Sequence, residues 1–319
     1  MDAPADTYQS RFAARWGHLT QGRVRALAWL LDAPDLLDAA DPHWEGKIAS
    51  LGVLPDSVDA WLTALDADPS ALDTALGTRL YTRLGLYAEK LMAFYYREHG
   101  MLVAHGQQVR AARNDTVGEF DFLLDAGPDA VEHIEFATKF YLLEGAAASR
   151  FDTFVGPNLA DSLGAKMRKI FDKQLALGQH PAAQALLPRP VVRARALVKG
   201  WLFYPLGAHS AIDGIDAQHC RGFWCALEQV GTLAATQFVV LPRLEWLAPY
   251  RAPLHAMAPA IVDQGGLQAL LAAQFDSVPM PVLVAAVRVD GDVVSETGRG
   301  FIVPDDWRAR AAFRQKMMA

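Results

Sequence analysis

The chain has 319 residues, 52% hydrophobic and 21% charged, a globular composition that excludes a disordered chain and suits two domains or one with elaborations. Its formal net charge of −6 excludes a globally basic nucleic-acid coat, so any polyanion partner must be held by a local patch. No run of about 18 apolar residues occurs, the first residues lack the apolar core of a signal peptide, and Cys220 and Cys225 are too few for a disulfide framework, which together predict a soluble, cytoplasmic, bacterial-type protein with no membrane partner.

Residues 1–78 read as a helical segment, in which Asp and Pro punctuate short apolar stretches such as VRALAWLLDAP and SVDAWLTALDADP. This segment is acidic, with twelve acids against five bases. A longer helix is predicted over 79–98, its buried stripe made by Leu80, Leu84, Tyr87, Leu91 and Phe94, with Glu89 at the border of that stripe. Three strands follow at 101–111, 116–125 and 131–143, and their short turn-like connectors predict an antiparallel meander. A helix is expected over about 158–177, with Leu159, Leu163, Met167, Ile170 and Phe171 inward, and then a long strand at 190–205. The result over 79–205 is an α-β-β-β-α-β order, a sheet flanked by helices. Residues 206–319 form a mixed extension packed on that core. It holds a helix around CRGFWCALEQVG, a strand TQFVVLPRLEWL, a helix near 263–275, and a terminal hairpin turning at Asp290 and Gly291.

Strand parity sorts the polar residues. In GEFDFLL, Glu119, Asp121 and Leu123 fall on one face and Phe120, Phe122 and Leu124 on the other. In HIEFATKFY, His133, Glu135, Ala137, Lys139 and Tyr141 oppose Ile134, Phe136, Thr138 and Phe140. Each strand thus has one apolar face for a core and one face carrying acids, as any half-exposed sheet has. The small Ala137 opens space between Glu135 and Lys139, and the next helix is the most basic in the chain. Residues 166–199 hold Lys166, Arg168, Lys169, Lys173, Arg189, Arg193, Arg195 and Lys199 against Asp172 alone, a net of +7. A basic segment in an acidic chain is the pattern of a face that meets a phosphate backbone, and equally of a solvated helix followed by a charged strand edge.

Asp121, Glu135 and a lysine later on the same strand, in this α-β-β-β-α-β setting, resemble the PD-(D/E)XK nuclease superfamily with its restriction-endonuclease-like core. More closely, GEFDFLL, HIEFATKFYL, FVGPNLADSLGAK and LVKGWLFYP resemble an uncharacterised bacterial family described as a domain of unknown function. The superfamily resemblance covers residues 79–205 and the family resemblance about 75–310. It implies an α/β fold in which Asp121 is the metal-binding aspartate, Glu135 the acid of the strand motif and Glu89 the acid of the preceding helix. The motif position two after the acid holds Ala137. Lys139, on the same face about 7 Å further along, is expected to lean back into its place. Gln174 resembles the helix glutamine of one nuclease branch, although the tyrosine expected four residues later is Gly178.

The chemistry implied is Mg2+- or Mn2+-assisted hydrolysis of a phosphodiester in DNA, with Asp121 and Glu135 as hard oxygen ligands and Lys139 on the nucleophile or the developing charge. Glu119 is either a third metal ligand or a rim acid. Lys166, Lys169 and Lys173 at i, i+3 and i+7 form a helical face for flanking phosphates. Two rival readings remain open. One is a nuclease-fold protein that binds nucleic acid without cutting it, and the other is a protein-interaction module. His219, Cys220 and Cys225 are too few for a structural zinc, and Trp201, Phe203, Phe223 and Trp224 are expected in the core rather than stacked on bases.

Overall fold

The computed structural model describes residues 7–78, 80–112, 115–144, 151–208, 211–257 and 260–318. Arg79, the expected start of the fifth helix, and Arg113 and Asn114 in the first strand connector lie outside them. Five helices come first: α1 (Tyr8–Trp16), α2 (Gly22–Asp32), α3 (Asp56–Ala67), α4 (Ser70–Leu76) and α5 (Leu84–Glu98). Helix α1 is closed by a capping box between Thr7 and Ser10. Helix α5 buries Leu84, Tyr87, Leu91 and Phe94 at the anticipated spacing, whereas Leu80 precedes the helix and is exposed.

Strands β1 (Leu102–Ala112), β2 (Asp115–Asp125) and β3 (Val131–Leu143) follow as the expected antiparallel meander. Next come β4 (Phe154–Val155), α6 (Leu163–Lys169), α7 (Pro181–Gln184) and β5 (Val191–Pro205). The remaining elements are β6 (Cys220–Ala226), β7 (Phe238–Val240), β8 (Arg251–Pro253), α8 (Leu254–Met257), α9 (Gln264–Ser277), β9 (Val282–Asp290), β10 (Val293–Val303) and α10 (Trp307–Met318). All ten strands join one mixed sheet ordered β1-β2-β3-β5-β6-β10-β9-β7, with β4 on β3 and β8 on β10. Strand β5 runs parallel to β3 and to β6, so the sheet crosses the 205/206 boundary without a break.

Apolar cores lie on both faces of this sheet, and β5 shows why by alternation. Leu197, Trp201 and Phe203 pack with helices α1–α5, while Ala196, Val198, Leu202 and Tyr204 pack with Leu163, Met167 and Ile170 of the α6 segment. A strand buried on both faces reads as a continuous apolar run, which is how it was legible. Among the described residues, no helix is long and apolar enough to cross a membrane.

Four expectations are corrected. The helix placed over 158–177 is shorter. Leu159 takes a left-handed conformation (φ 57°) in a turn closed by Gly156, so the helix begins only after Ser162, whose side chain caps Ala165 N–H at 3.2 Å. It then loosens into a π turn at Ile170–Gln174. The segment CRGFWCA is strand β6 rather than a helix, because it fills the gap between β5 and β10 and is paired on both edges. The strand at TQFVVLPRLEWL ends at Val240, with Pro242 leading into a 3-10 turn at Arg243–Glu245. Finally, α10 was not anticipated. The terminal hairpin forms as expected, its turn running through Gly291 at φ 55°.

Gly200 sits against Lys139 across the β3–β5 pair, and a Cβ there would lie 2.0 Å from the Lys139 carbonyl oxygen. Gly200→Ala is therefore expected to cost at least the ~1–3 kcal/mol of an overpacked core. A urea midpoint unchanged from wild type would show that the two strands can separate without penalty.

Candidate active site

The site lies in a notch in the sheet. Strands β2 and β3 pair only from Phe122↔Ile134 to Asp125↔Val131, although both strands continue beyond. Further along the same edge of β3, β4 takes over at Leu142 and Leu143, while β5 fills the other edge from Val131 to Leu142. Between Ile134 and Leu142, among the described residues, no strand pairs with the β2 side of β3. Asp121 caps this opening. Its Oδ2 accepts the Phe136 N–H at 2.9 Å, replacing the ladder bond that the parted strand no longer supplies.

The pleat of β2 does not alternate regularly here, which corrects the parity expected for it. Phe120 packs with Leu123, Val109, Val131 and Leu177 on one face, whereas Phe122 packs with Tyr96, Ile134 and Phe136 on the other. The interruption falls at Asp121. The facing residue of β1 on this rung is Gly106, at φ 63°, a conformation that costs a residue with a side chain dearly. Two strands that flip together at one rung turn Asp121 toward the notch and separate Glu119 from the face it was assigned to share with Leu123.

Strand β3 keeps its predicted alternation. Ala137 and Tyr141 join the core under α6, and Glu135 stands on that same side, 4% exposed. The Asp121 and Glu135 carboxyls are within hydrogen-bonding reach of each other. Gln174, at the end of the π turn, donates its side-chain N–H to Glu135 Oε1, while Glu135 Oε2 is buried without a hydrogen-bond partner. Burial first, and then the like charge of its neighbour, pushes the Glu135 carboxyl far above the usual carboxylate range. Burial also raises Asp121, with Glu89 and Glu119 adding to the rise and the Phe136 N–H opposing it. Two carboxyls this close either share a proton or hold a cation.

Lys139 faces this pair. Burial and then the charge of Lys166 push its ammonium down to about 8, against the pull of Asp161, Glu135 and Asp121. Lys139 makes no hydrogen bond or ion pair among the described residues, whereas Asp161 is engaged by the Tyr141 hydroxyl at 2.8 Å. Lys166 is half-buried on α6, and its charge acts on both Glu135 and Lys139. Lys169 and Lys173 are exposed, and the π turn takes Lys173 off the α-helical face expected to unite the three.

The rest of the basic segment is largely neutralised internally. Arg189 pairs with Asp125 at 2.7 Å, Arg193 and Arg195 share Glu132 at 3.0 and 2.6 Å, and Lys199 is buried on Asp35 at 2.8 Å. Lys166, Lys169 and Lys173 have no carboxylate partner among the described residues. Glu89 reaches the site from α5, on the opposite face, and its Oε1 is bonded to His105 Nε2 at 2.6 Å. Among the described residues, no group of three or more His, Cys, Asp or Glu side chains is placed to hold one metal ion; Glu119 acts on Asp121 through its charge. His219 is satisfied by Tyr204 at 2.9 Å, and Trp201, Phe203, Phe223 and Trp224 lie in or against the apolar cores, as expected.

Sequence reasoning missed His105 and His133 as neighbours of the carboxyls. The parity of β3 had placed His133 beside Glu135, and that was the available signal. For His105 there was none, since its partner Glu89 comes from a different element.

The fold and the notch define a mixed α/β protein whose chemistry-bearing side chains meet where two strands part. The profile of one family, described as a domain of unknown function (DUF1853), matches residues 25–303, and the chain belongs to that family. No curated protein and no solved structure matches it.

Proposed function

We propose that this protein is a divalent-cation-dependent nuclease that hydrolyses phosphodiester bonds in DNA, built on a restriction-endonuclease-like core of the PD-(D/E)XK kind. The observation that carries this reading is the pair Asp121 and Glu135, a half-buried and a buried carboxyl within reach of each other, with Glu135 Oε2 unpartnered and the charges of Lys139 and Lys166 acting on the pair. That donor set fits Mg2+ or Mn2+, which take oxygen ligands and keep several waters. Asp121 and Glu135 would hold the ion. In an extended strand the N–H and C=O of one residue point the same way, so the Phe136 carbonyl faces the notch with its N–H and could supply a third oxygen. The ion, when bound, would acidify the attacking water and offset charge on the transferred phosphoryl group.

The chain's own residues do the rest. Gln174 keeps Glu135 oriented, and Lys139 and Lys166 offer positive charge to the phosphate as negative charge builds on its oxygens. Exposed Lys169 and Lys173 can meet the neighbouring phosphates of the strand. Ala137, at the motif position that holds lysine in the superfamily, favours a second reading in which the fold binds DNA without cutting it.

Cleavage of labelled linear, circular and single-stranded DNA, and of RNA, with Mg2+, Mn2+ or EDTA separates the two. Cutting that needs the metal and is lost in Asp121→Ala and Glu135→Ala is the expected result. No cutting by a folded protein that still binds DNA, with affinity falling steeply as salt rises, would establish the binding-only reading. No affinity even at low salt rejects both.

A further inference from the structure

We propose that His133 is a positioning residue for Glu135, holding its carboxylate from the side opposite Gln174 in the orientation that takes a divalent cation. This role rests on the active-site reading above. His133 is fully buried, yet neither ring nitrogen has a hydrogen-bond partner. Its Nε2 lies 3.8 Å from Glu135 Oε2, which is itself buried and without a partner. Unpaired buried polar groups are rare enough in folded proteins that two of them facing each other call for an explanation. A leucine would pack in the same apolar setting without a polar atom to satisfy.

The ring is held by its surroundings. Phe120 meets it edge-on at 4.8 Å and 88°, and on β3 it is flanked by Leu123 of β2 and Ala194 of β5. Glu135 Oε1 already receives the Gln174 amide, so a donor on Oε2 would complete the grip and leave one lone pair on each oxygen for a cation. A shift of about 0.9 Å brings Nε2 to the ordinary N–H···O distance near 2.9 Å. An ionised Glu135, held so by the cation, is the state that draws the N–H in. Outer hydrogen-bond partners of this kind typically contribute tenfold to a hundredfold in metal affinity.

The test is Mn2+ binding to the full chain, followed by the electron paramagnetic resonance signal of free Mn2+. His133→Leu is expected to weaken binding by about 10–100-fold. His133→Gln, whose amide N–H reaches a similar point, is expected to recover most of that loss. Melting in EDTA is expected to be no lower for His133→Leu than for wild type, since no hydrogen bond of the metal-free protein is removed. Unchanged Mn2+ affinity in His133→Leu overturns the role. Weakening of both variants together with a lowered melting temperature in EDTA overturns it too, by showing that the ring is needed for packing alone. A wild type that takes up no Mn2+ rejects the active-site reading itself, and with it this role.

Discussion

Glu135→Gln is expected to melt several degrees above wild type at pH 8 in EDTA, with the gain almost gone at pH 5. The folded protein holds both carboxyls above their ordinary range, Glu135 the more strongly, through burial first and then, for Glu135, the like charge of Asp121. A carboxyl raised in this way favours the folded state most below its unfolded value, and that advantage is lost as pH climbs toward the folded value. Metal-free wild type should therefore lose stability steadily as pH rises above the ordinary carboxylate value of 4.5, mostly through Glu135. Glutamine keeps the acceptor for Gln174 and carries no charge to bury, so it escapes the loss. At roughly 1.4 kcal/mol per pKa unit, the difference at pH 8 is of the order of a few kcal/mol. For a chain of this size that is about 5–10 °C of melting temperature. Mn2+ or Mg2+ should narrow the gap, since a ligand at 100 times its dissociation constant adds about 2.7 kcal/mol to the protein that binds it. Equal melting of the two proteins across pH 5–8, with or without metal, would mean that the carboxyls are not forced together.

Lys139→Ala is expected to lower metal-dependent cleavage by about 10²–10³-fold, the usual effect of removing one group that stabilises transition-state charge. Lys139 is depressed to about 8, first by burial and then by Lys166. Its ammonium is therefore present below that value and lost as pH rises through it, so the wild-type rate should fall on the alkaline side with a midpoint near 8. Lys139→Arg keeps its charge across this range, and should flatten that limb even if its peak rate is lower. Full activity in Lys139→Ala would transfer the role to Lys166, whose charge is felt by the same carboxylate from α6.

Much of this site could be read from local pattern, and the unread part shows what pattern cannot carry. Strand β3 begins and ends where predicted, and its alternation correctly put Glu135, Ala137 and Lys139 on the side covered by α6. Strand β2 defeated the same rule, because the flip at Asp121 accompanies a left-handed glycine on a different strand. Period-two reasoning sees one strand at a time. Strand β6 was read as a helix because its apolar residues pack on both faces, Cys220 and Trp224 on one and Phe223 and Cys225 on the other, which blurs the polar alternation that marks a strand. The basic excess over 166–199 was real in composition, yet Asp125, Glu132 and Asp35 consume half of it through contacts between distant parts of the chain. What the sequence had no means to show was which lysines would be left over.

The unbroken passage of the sheet from β5 into β6 has a practical consequence for any attempt to work with a smaller reagent. Residues Trp201–Pro205 pair with Cys220–Trp224, and Phe203 meets Phe301 of β10 at 4.7 Å. A recombinant fragment stopped at residue 205 would leave the last five residues of its longest strand with an unpaired edge and its aromatic face bare to water. Such an edge recruits other chains, and the fragment is expected to be insoluble or to associate through that strand. The notch would be lost along with its scaffold, so an inactive truncation would say nothing about Asp121 or Glu135. Substitutions in the 319-residue chain are the informative route.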